Sequence, residues 1–467
     1  MRAMGVFVAA LAFVPSLRPT VAWGKEETEN TKRFTLANGM TVLLEERHDL
    51  PLVYAGVVMK GGIAREPQGK EGLASFTARL MARGTKALSR NQIEEKFEEI
   101  GSSFAAQATM EALWLGGSVI ARNVDAFLGL VASLVTTPTF PAAELEKLRR
   151  EVLSEIDLRR EDDQSSARLF FKRFLYGKHR LGRDDAGTRA AVKSFSRDDV
   201  AGFYSSSISA GNMIIAIAGD VTRADIEKKL SSAFGSLVGE AATTSGDAVA
   251  PQEVEGRRVL LVDRPGRTQT QMMVGQIAVP VTHPDYVPLT VANAAFGSGF
   301  TSRLMREVRV KRGWAYGARS MLVESRERGP FGIWTFPKNS DAMPTLDLVL
   351  KMYDEFSKNG ITDEELEFAK GRLVGAHPFT METAQKRVEL VVRAELLGLP
   401  ADFFLAYPQK VKAVTAKQVR DAVTRNLQAK NIAIVIVCTA SHFKDKVAAV
   451  AGAKDVQIIN YTDDLAP

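Results

Sequence analysis

The chain has 467 residues, 45% of them apolar and 25% charged, with a formal net charge of +6. That length exceeds what one hydrophobic core organises and points to two or more domains, while the composition is that of a globular chain able to bury large cores. Two of the positive charges, Arg2 and Arg18, fall in a leader-like segment, and removing them leaves +4, which gives no basis for a nucleic-acid-binding face.

Residues 1–22 read as a secretory signal peptide. Arg2 supplies a positive start, Gly5 to Val14 form a short apolar run ended by Pro15, and Thr20-Val21-Ala22 offers small residues before a cleavage point. The run is too short to span a bilayer, so no stable membrane span is expected. It also lacks the arginine-rich, amphipathic character of a mitochondrial presequence. Cys438 is the only cysteine, so no intrachain disulfide can form, and the leader carries the argument for export.

Strands rich in β-branched residues are predicted at Thr41–Leu44, Leu52–Met59, Val259–Val262 and Met272–Val279, interleaved with amphipathic helices at Arg90–Ile100 and Asn123–Leu134. The mixed order favours an α+β fold, a mixed or antiparallel sheet backed by helices. The chain also repeats itself. Asn212–Val221 followed by a helical Ala224–Ala233 is echoed by Asn431–Cys438 followed by His442–Val450, and Phe140–Lys147 is echoed by Ile361–Phe368, each of the latter pair read as a capped helix start. Gly239–Ala248 is small and polar. The expected division is therefore 23–238, a linker 239–256, and 257–467.

A helix is predicted over Gly69–Arg83, and Ser75, Ala78 and Arg79 share one of its faces. These are the spacings of the inverted zinc motif H-x-x-E-H, in which two imidazoles hold the metal and a glutamate activates its water. An arginine stays protonated and repels a metal, a serine is a poor zinc ligand, and an alanine cannot act as a base. None of the five histidines, His48, His179, His283, His377 and His442, lies within a helical turn of another, and they read as solvated or satisfied loop and core residues.

The segments Phe34–Val42, Gly61–Pro67, Gly72-Leu73-Ala74 and Arg83-Gly84-Thr85, in that order and spacing, resemble the pitrilysin/insulinase family of zinc metallopeptidases, in particular the subunit of bacterial two-subunit members that lacks the zinc motif. The resemblance implies two homologous halves facing each other as a clamshell. It also assigns Glu155 to the third metal-ligand position and places Leu148 where the family has a second carboxylate. With the cation of Arg79 where a metal would sit, a direct Arg79–Glu155 ion pair is expected.

In the second half, Phe296–Gly317 offers Ser298, Thr301 and Ser302 as helix caps, Leu304 and Val308 as an apolar i, i+4 pair, Gly313 as a left-handed C-cap, and a strand from Trp314. By composition alone, Arg309 is a solvated basic residue and Tyr316 a half-buried strand aromatic. The resemblance implies more: active members are similar in carrying an Arg and, seven residues later, a Tyr that contact substrate near the scissile bond, and Arg309 and Tyr316 match that spacing. Two readings follow. In one, this chain is the non-catalytic subunit of a heterodimeric peptidase in the bacterial periplasm, binding no cofactor itself, with zinc held by a homologous partner and Arg309 and Tyr316 acting in trans on peptides. In the other it is a scaffold or peptide-binding module with no catalytic role.

Overall fold

The computed structural model describes residues 30–240 and 250–463. The expected leader lies outside the described residues, as does residue range 241–249 of the expected linker. Twelve strands among the described residues form two six-stranded sheets. The first contains β1 (Thr31–Thr35), β2 (Thr41–Glu46), β3 (Leu52–Lys60), β4 (Ala105–Ala108), β5 (Ala112–Ile120) and β6 (Met213–Gly219), in the order β1-β2-β6-β3-β5-β4. The second contains β7 (Arg257–Asp263), β8 (Gln271–Ile277), β9 (Ala315–Leu322), β10 (Pro330–Pro337), β11 (Ile432–Cys438) and β12 (Val456–Asn460), in the order β12-β7-β11-β8-β10-β9.

The repeat seen in the sequence is a repeat of topology. In both sheets a parallel pair (β2·β6, β7·β11) is followed by three antiparallel ones (β6·β3, β3·β5, β5·β4 and β11·β8, β8·β10, β10·β9). Only the outermost strand differs, β1 being antiparallel to β2 and β12 parallel to β7. The fold is thus mixed α+β, with two sheets backed by helices. At the other rim, β4 and β9 are the outermost strands.

Each sheet has one face on its own helices. Val42, Leu44, Val57, Ile215 and Ile217 join residues of helices Leu73–Met81, Val124–Thr136 and Ala142–Glu161 in one core, and Leu261, Val274, Ile434 and Ile436 join helices Tyr286–Phe296 and Ala342–Asn359 in a second. The other faces are covered by exchange. Helix Asp163–Tyr176, from the first half, lays Phe170, Phe171 and Phe174 on Leu260, Val262, Met273 and Val435 of the second sheet, while helix Ala384–Leu397 lays Val388, Val391 and Val392 on Leu43, Ile214 and Ala216 of the first. This accounts for the unbroken apolar runs of β6 and β11, which have a core on either side. Each fully buried phenylalanine or valine contributes about 1.5–3 kcal/mol by removal from water, so the halves are held by a substantial apolar seam.

Local sequence directs the exchange. Asp162 is extended, ends helix Ala142–Glu161 and caps helix Asp163–Tyr176, accepting from the Ser165 amide at 2.7 Å. Arg264 of the second half donates to the carbonyls of Arg160 and Glu161, satisfying acceptors left open by that helix end. Two sequence expectations fail here. Helix Ala142–Glu161 begins at Pro141 with no side-chain cap, whereas its echo at Thr362 carries a full capping box with Glu365; a preceding proline leaves no hydroxyl to cap. Val254, within the expected linker, is buried in the seam.

Candidate functional site

The first constellation is built on helix Leu73–Met81. Its start is set by Gly72 at φ 91°, where a Cβ would lie 2.6 Å from the Ala186 carbonyl oxygen. The cap comes from a distance: the Glu66 carboxylate accepts from the amides of Gly72 at 3.1 Å and Ala74 at 2.9 Å. Burial pushes the Glu66 carboxyl up to about 8, against the pull of those amides and of Arg183. Thus the Arg65-Glu66-Pro67 and Gly72-Leu73-Ala74 segments form one structural device.

At the three positions of the metal helix, the Ser75 hydroxyl donates to the Asp185 carbonyl at 2.9 Å and Ala78 is fully buried in the core. The Arg79 guanidinium donates to both Glu155 oxygens, each at 2.8 Å, in a bidentate pair. The expected pair is present, but partly exposed and not buried, the two side chains retaining 29% and 42% of their surface. Leu148 is wholly in the core. Arg79 also lies 3.7 Å from Glu151, which takes Arg83 at 3.0 Å, and Arg90 reaches Glu144 at 3.3 Å. Three arginines and three glutamates therefore alternate across helix Leu73–Met81 and the turn after it, which carries Arg83, and helices Arg90–Glu99 and Ala142–Glu161. The hydrogen bond from Arg83, opposed by burial, holds Glu151 below the ordinary carboxylate range. The set does not fit zinc: the only carboxylate at the ligand position is already bound by a cation, and neither neighbouring position offers a metal donor. Glu151 and Arg83 escaped the sequence reading, although each stands one helical turn from Glu155 or Arg79 and the i, i+4 spacing was there to be used.

The second constellation lies on the rim of the other sheet. Residues Met305–Lys311 form a π-helix, and Arg309 lies within it; such widened turns are frequent at functional sites. Leu304 and Val308 anchor the segment in the core, and Gly313 at φ 65° ends it, its amide donating to the Arg309 carbonyl at 3.0 Å. The expected caps are absent. No side-chain cap precedes the helix, and the Ser302 hydroxyl is buried without a partner, although its carbonyl accepts from the Arg306 amide at 3.0 Å.

Tyr316 sits on the edge strand β9 where the register with β10 shifts between Thr335 and Pro337. A bulge of this kind re-aims a side chain. Tyr316 is 76% exposed rather than half-buried, and the Arg309 guanidinium lies over its ring, 4.4 Å from the centroid. Phe300, also exposed, is 5.8 Å from Arg309 and 5.6 Å from Arg319. The structure thus brings Arg309 and Tyr316 together, and Arg79 and Glu155 together; no hydrogen bond, ion pair or ring contact joins one pair to the other among the described residues. Of the histidines, His377 departs from expectation, being buried with its Nε2 unpartnered.

Comparison with known proteins agrees with this geometry. Residues 41–189 match the insulinase family, Peptidase family M16, and residues 194–373 match the family described as Peptidase M16 inactive domain. The chain carries M16 (insulinase) family domains. It is similar to a crystal structure of a peptidase M16 inactive domain from Pseudomonas fluorescens, with a TM-score of 0.80 and 26% identity over 87% of this chain and 98% of that one. It is 23% identical to the non-peptidase homolog YmxG of Helicobacter pylori, over 87% of this chain and 93% of that protein, and 24% identical to the uncharacterized zinc protease YmxG of Bacillus subtilis, over 78% and 88%. At the metal positions of the M16 domain in residues 41–189, this chain carries Ser75, Ala78 and Arg79. No helix among the described residues is long and apolar enough to cross a membrane.

Proposed function

We propose that this chain is the non-catalytic subunit of a heterodimeric, periplasmic zinc peptidase, exported by the leader in residues 1–22. A homologous partner with an intact zinc motif supplies metal and base, and this chain presents Arg309 and Tyr316 in trans to a bound peptide. The observation that carries the reading is the Tyr316–Arg309 pair, its exposed tyrosine set by a bulge on the outermost strand β9, with only the exposed Phe300 ring beside Arg309 among the described residues. Phenol and guanidinium are both donors suited to the oxyanion that develops on a scissile carbonyl.

The test is reconstitution with a zinc-bearing homologue. Mixing should restore peptide hydrolysis that the partner alone lacks, and Tyr316→Phe should lower kcat by roughly 10² to 10³ while leaving dimer formation intact. Arg309→Ala should behave similarly with weaker substrate binding. A partner fully active by itself, or a Tyr316→Phe complex with unchanged kcat, would leave the scaffold reading in its place.

A further inference from the structure

Between the two halves lies a cavity of about 740 Å³, in the range that accepts small ligands. Its wall is acidic on a chain whose net charge is +6. Glu111 comes from the first half, and Glu324 and Glu389 from the second. Arg393 is the one basic residue on the wall, and it is committed to Glu324 at 2.5 Å. No ion pair within 4.0 Å joins Glu111 or Glu389 to a basic side chain among the described residues; Glu111 feels Arg326 first, which also bonds it through its backbone, and then Arg180, itself bonded to Glu327, while Glu389 accepts from Gln385 Nε2 at 2.9 Å and from the Tyr54 hydroxyl. Burial raises both Glu111 and Glu324 above the ordinary carboxylate range, outweighing the opposing pull of Arg326 on the first and of Arg393 on the second.

The rest of the wall is aromatic. Trp114 and Phe104 line the cavity half-buried, and Tyr54, more than nine-tenths buried, lines it beside Glu389. Burial first, and then the Glu389 charge, keep the Tyr54 phenol protonated. Aromatic faces around a partly open cavity, with Glu111 and Glu389 outside any ion pair, are complementary to one kind of ligand, a cation carried on an organic stem, because the rings attract the charge and the carboxylates neutralise it. An anion or a neutral sugar would leave the carboxylates uncompensated.

We propose that this cavity binds an organic cation, an alkylammonium or guanidinium group, between Glu389, Glu111 and the rings of Trp114 and Tyr54. The group can belong to a free polyamine or to a basic side chain of a peptide. Calorimetric titration of the isolated chain with spermidine, with a blocked arginine peptide, and with the same peptide carrying citrulline tests it. One site per chain is expected for at least one of the cations, with affinity falling as salt rises. The citrulline peptide should bind at least about ten-fold more weakly, and Glu389→Gln should cost a comparable factor, with Glu111→Gln adding to it. Tighter spermidine binding assigns the site to a free polyamine, and tighter arginine-peptide binding assigns it to a side chain; both sustain the proposal. It is overturned if neither cation binds at up to about 10 mM, if citrulline binds as well as arginine, or if the Glu111→Gln/Glu389→Gln double variant, shown by circular dichroism to be folded, keeps its affinity. Neither Arg309 nor Tyr316 lines the cavity, so failure here leaves the reconstitution experiment unaffected.

Discussion

Replacing Arg387 by alanine tests how the halves are held together. Glu45 lies on β2 beside Leu43, on the sheet face covered by helix Ala384–Leu397, and is fully buried. Arg387 of that helix donates to its Oε1 through Nε at 2.8 Å and through Nη2, and satisfies its third nitrogen on the Met381 carbonyl at 2.7 Å. Without the guanidinium, Glu45 retains only a long contact from the Thr31 hydroxyl at 3.5 Å. Leaving one member of a buried pair unmatched costs about 3–5 kcal/mol, a large part of the roughly 5–15 kcal/mol available to a folded domain. With a urea m-value of about 2 kcal/mol/M, the midpoint should fall by roughly 2 M. Because the pair bridges the halves, separate transitions for the two sheets should also appear in calorimetry. The control removes both charges: Glu45→Leu with Arg387→Met should recover most of the loss, since a well-packed apolar replacement is often neutral. A loss below about 1 kcal/mol for Arg387→Ala, well short of the burial penalty, or a double variant no more stable than the single, would refute the reasoning.

The isolated chain should retain no stoichiometric zinc after dialysis, because Arg79 already neutralises Glu155; one zinc per chain by elemental analysis, lost on Glu155→Ala, would sink this. Glu151 gives a pH prediction. Its folded value is depressed below the ordinary 4.5, chiefly by the Arg83 hydrogen bond, so its stabilisation is present above that value and lost as pH falls through the lower, folded one. The stability difference between wild type and Glu151→Gln in urea titrations should therefore be constant at neutral pH and shrink on acidification below about pH 4.5; a difference independent of pH would show that Glu151 acts by packing alone.

Much of the fold was legible because the repeat is written in the hydrophobic pattern. Ile432–Cys438 and Met213–Gly219 are apolar at every position, which marks strands buried on both faces, and each is followed by a helix. What covers the second face was not legible. Helices Asp163–Tyr176 and Ala384–Leu397 have ordinary amphipathic patterns, and nothing in a pattern says which sheet a helix will meet. The Arg79–Glu155 pair could be inferred because one substitution placed a cation where a carboxylate remained. Glu66 could not: its role depends on the chain returning through Gly72 at a positive φ, a long-range closure with no periodic signature. The π-helix was missed for a related reason, since Met305–Lys311 has the same i, i+4 apolar pair, Leu304 and Val308, that an α-helix would show.

The exchange of helices bears on where Arg309 and Tyr316 can act. Helices Asp163–Tyr176 and Ala384–Leu397 each cover part of the second face of the other half's sheet, so apolar seams join the halves beside the cavity described above. No hydrogen bond, ion pair or ring contact joins Arg309 or Tyr316 to Arg79 or Glu155 among the described residues, and the halves are tied by the buried Glu45–Arg387 pair. An exposed tyrosine stacked on an arginine contributes little to stability at the surface, and a bulge and a π-helix both weaken the local backbone pairing. Such features on the exposed rim of a sheet are easier to account for by contact with a second molecule than by the folding of this one. That is the physical argument for looking to a partner chain, and it rests on the rim geometry independently of any motif.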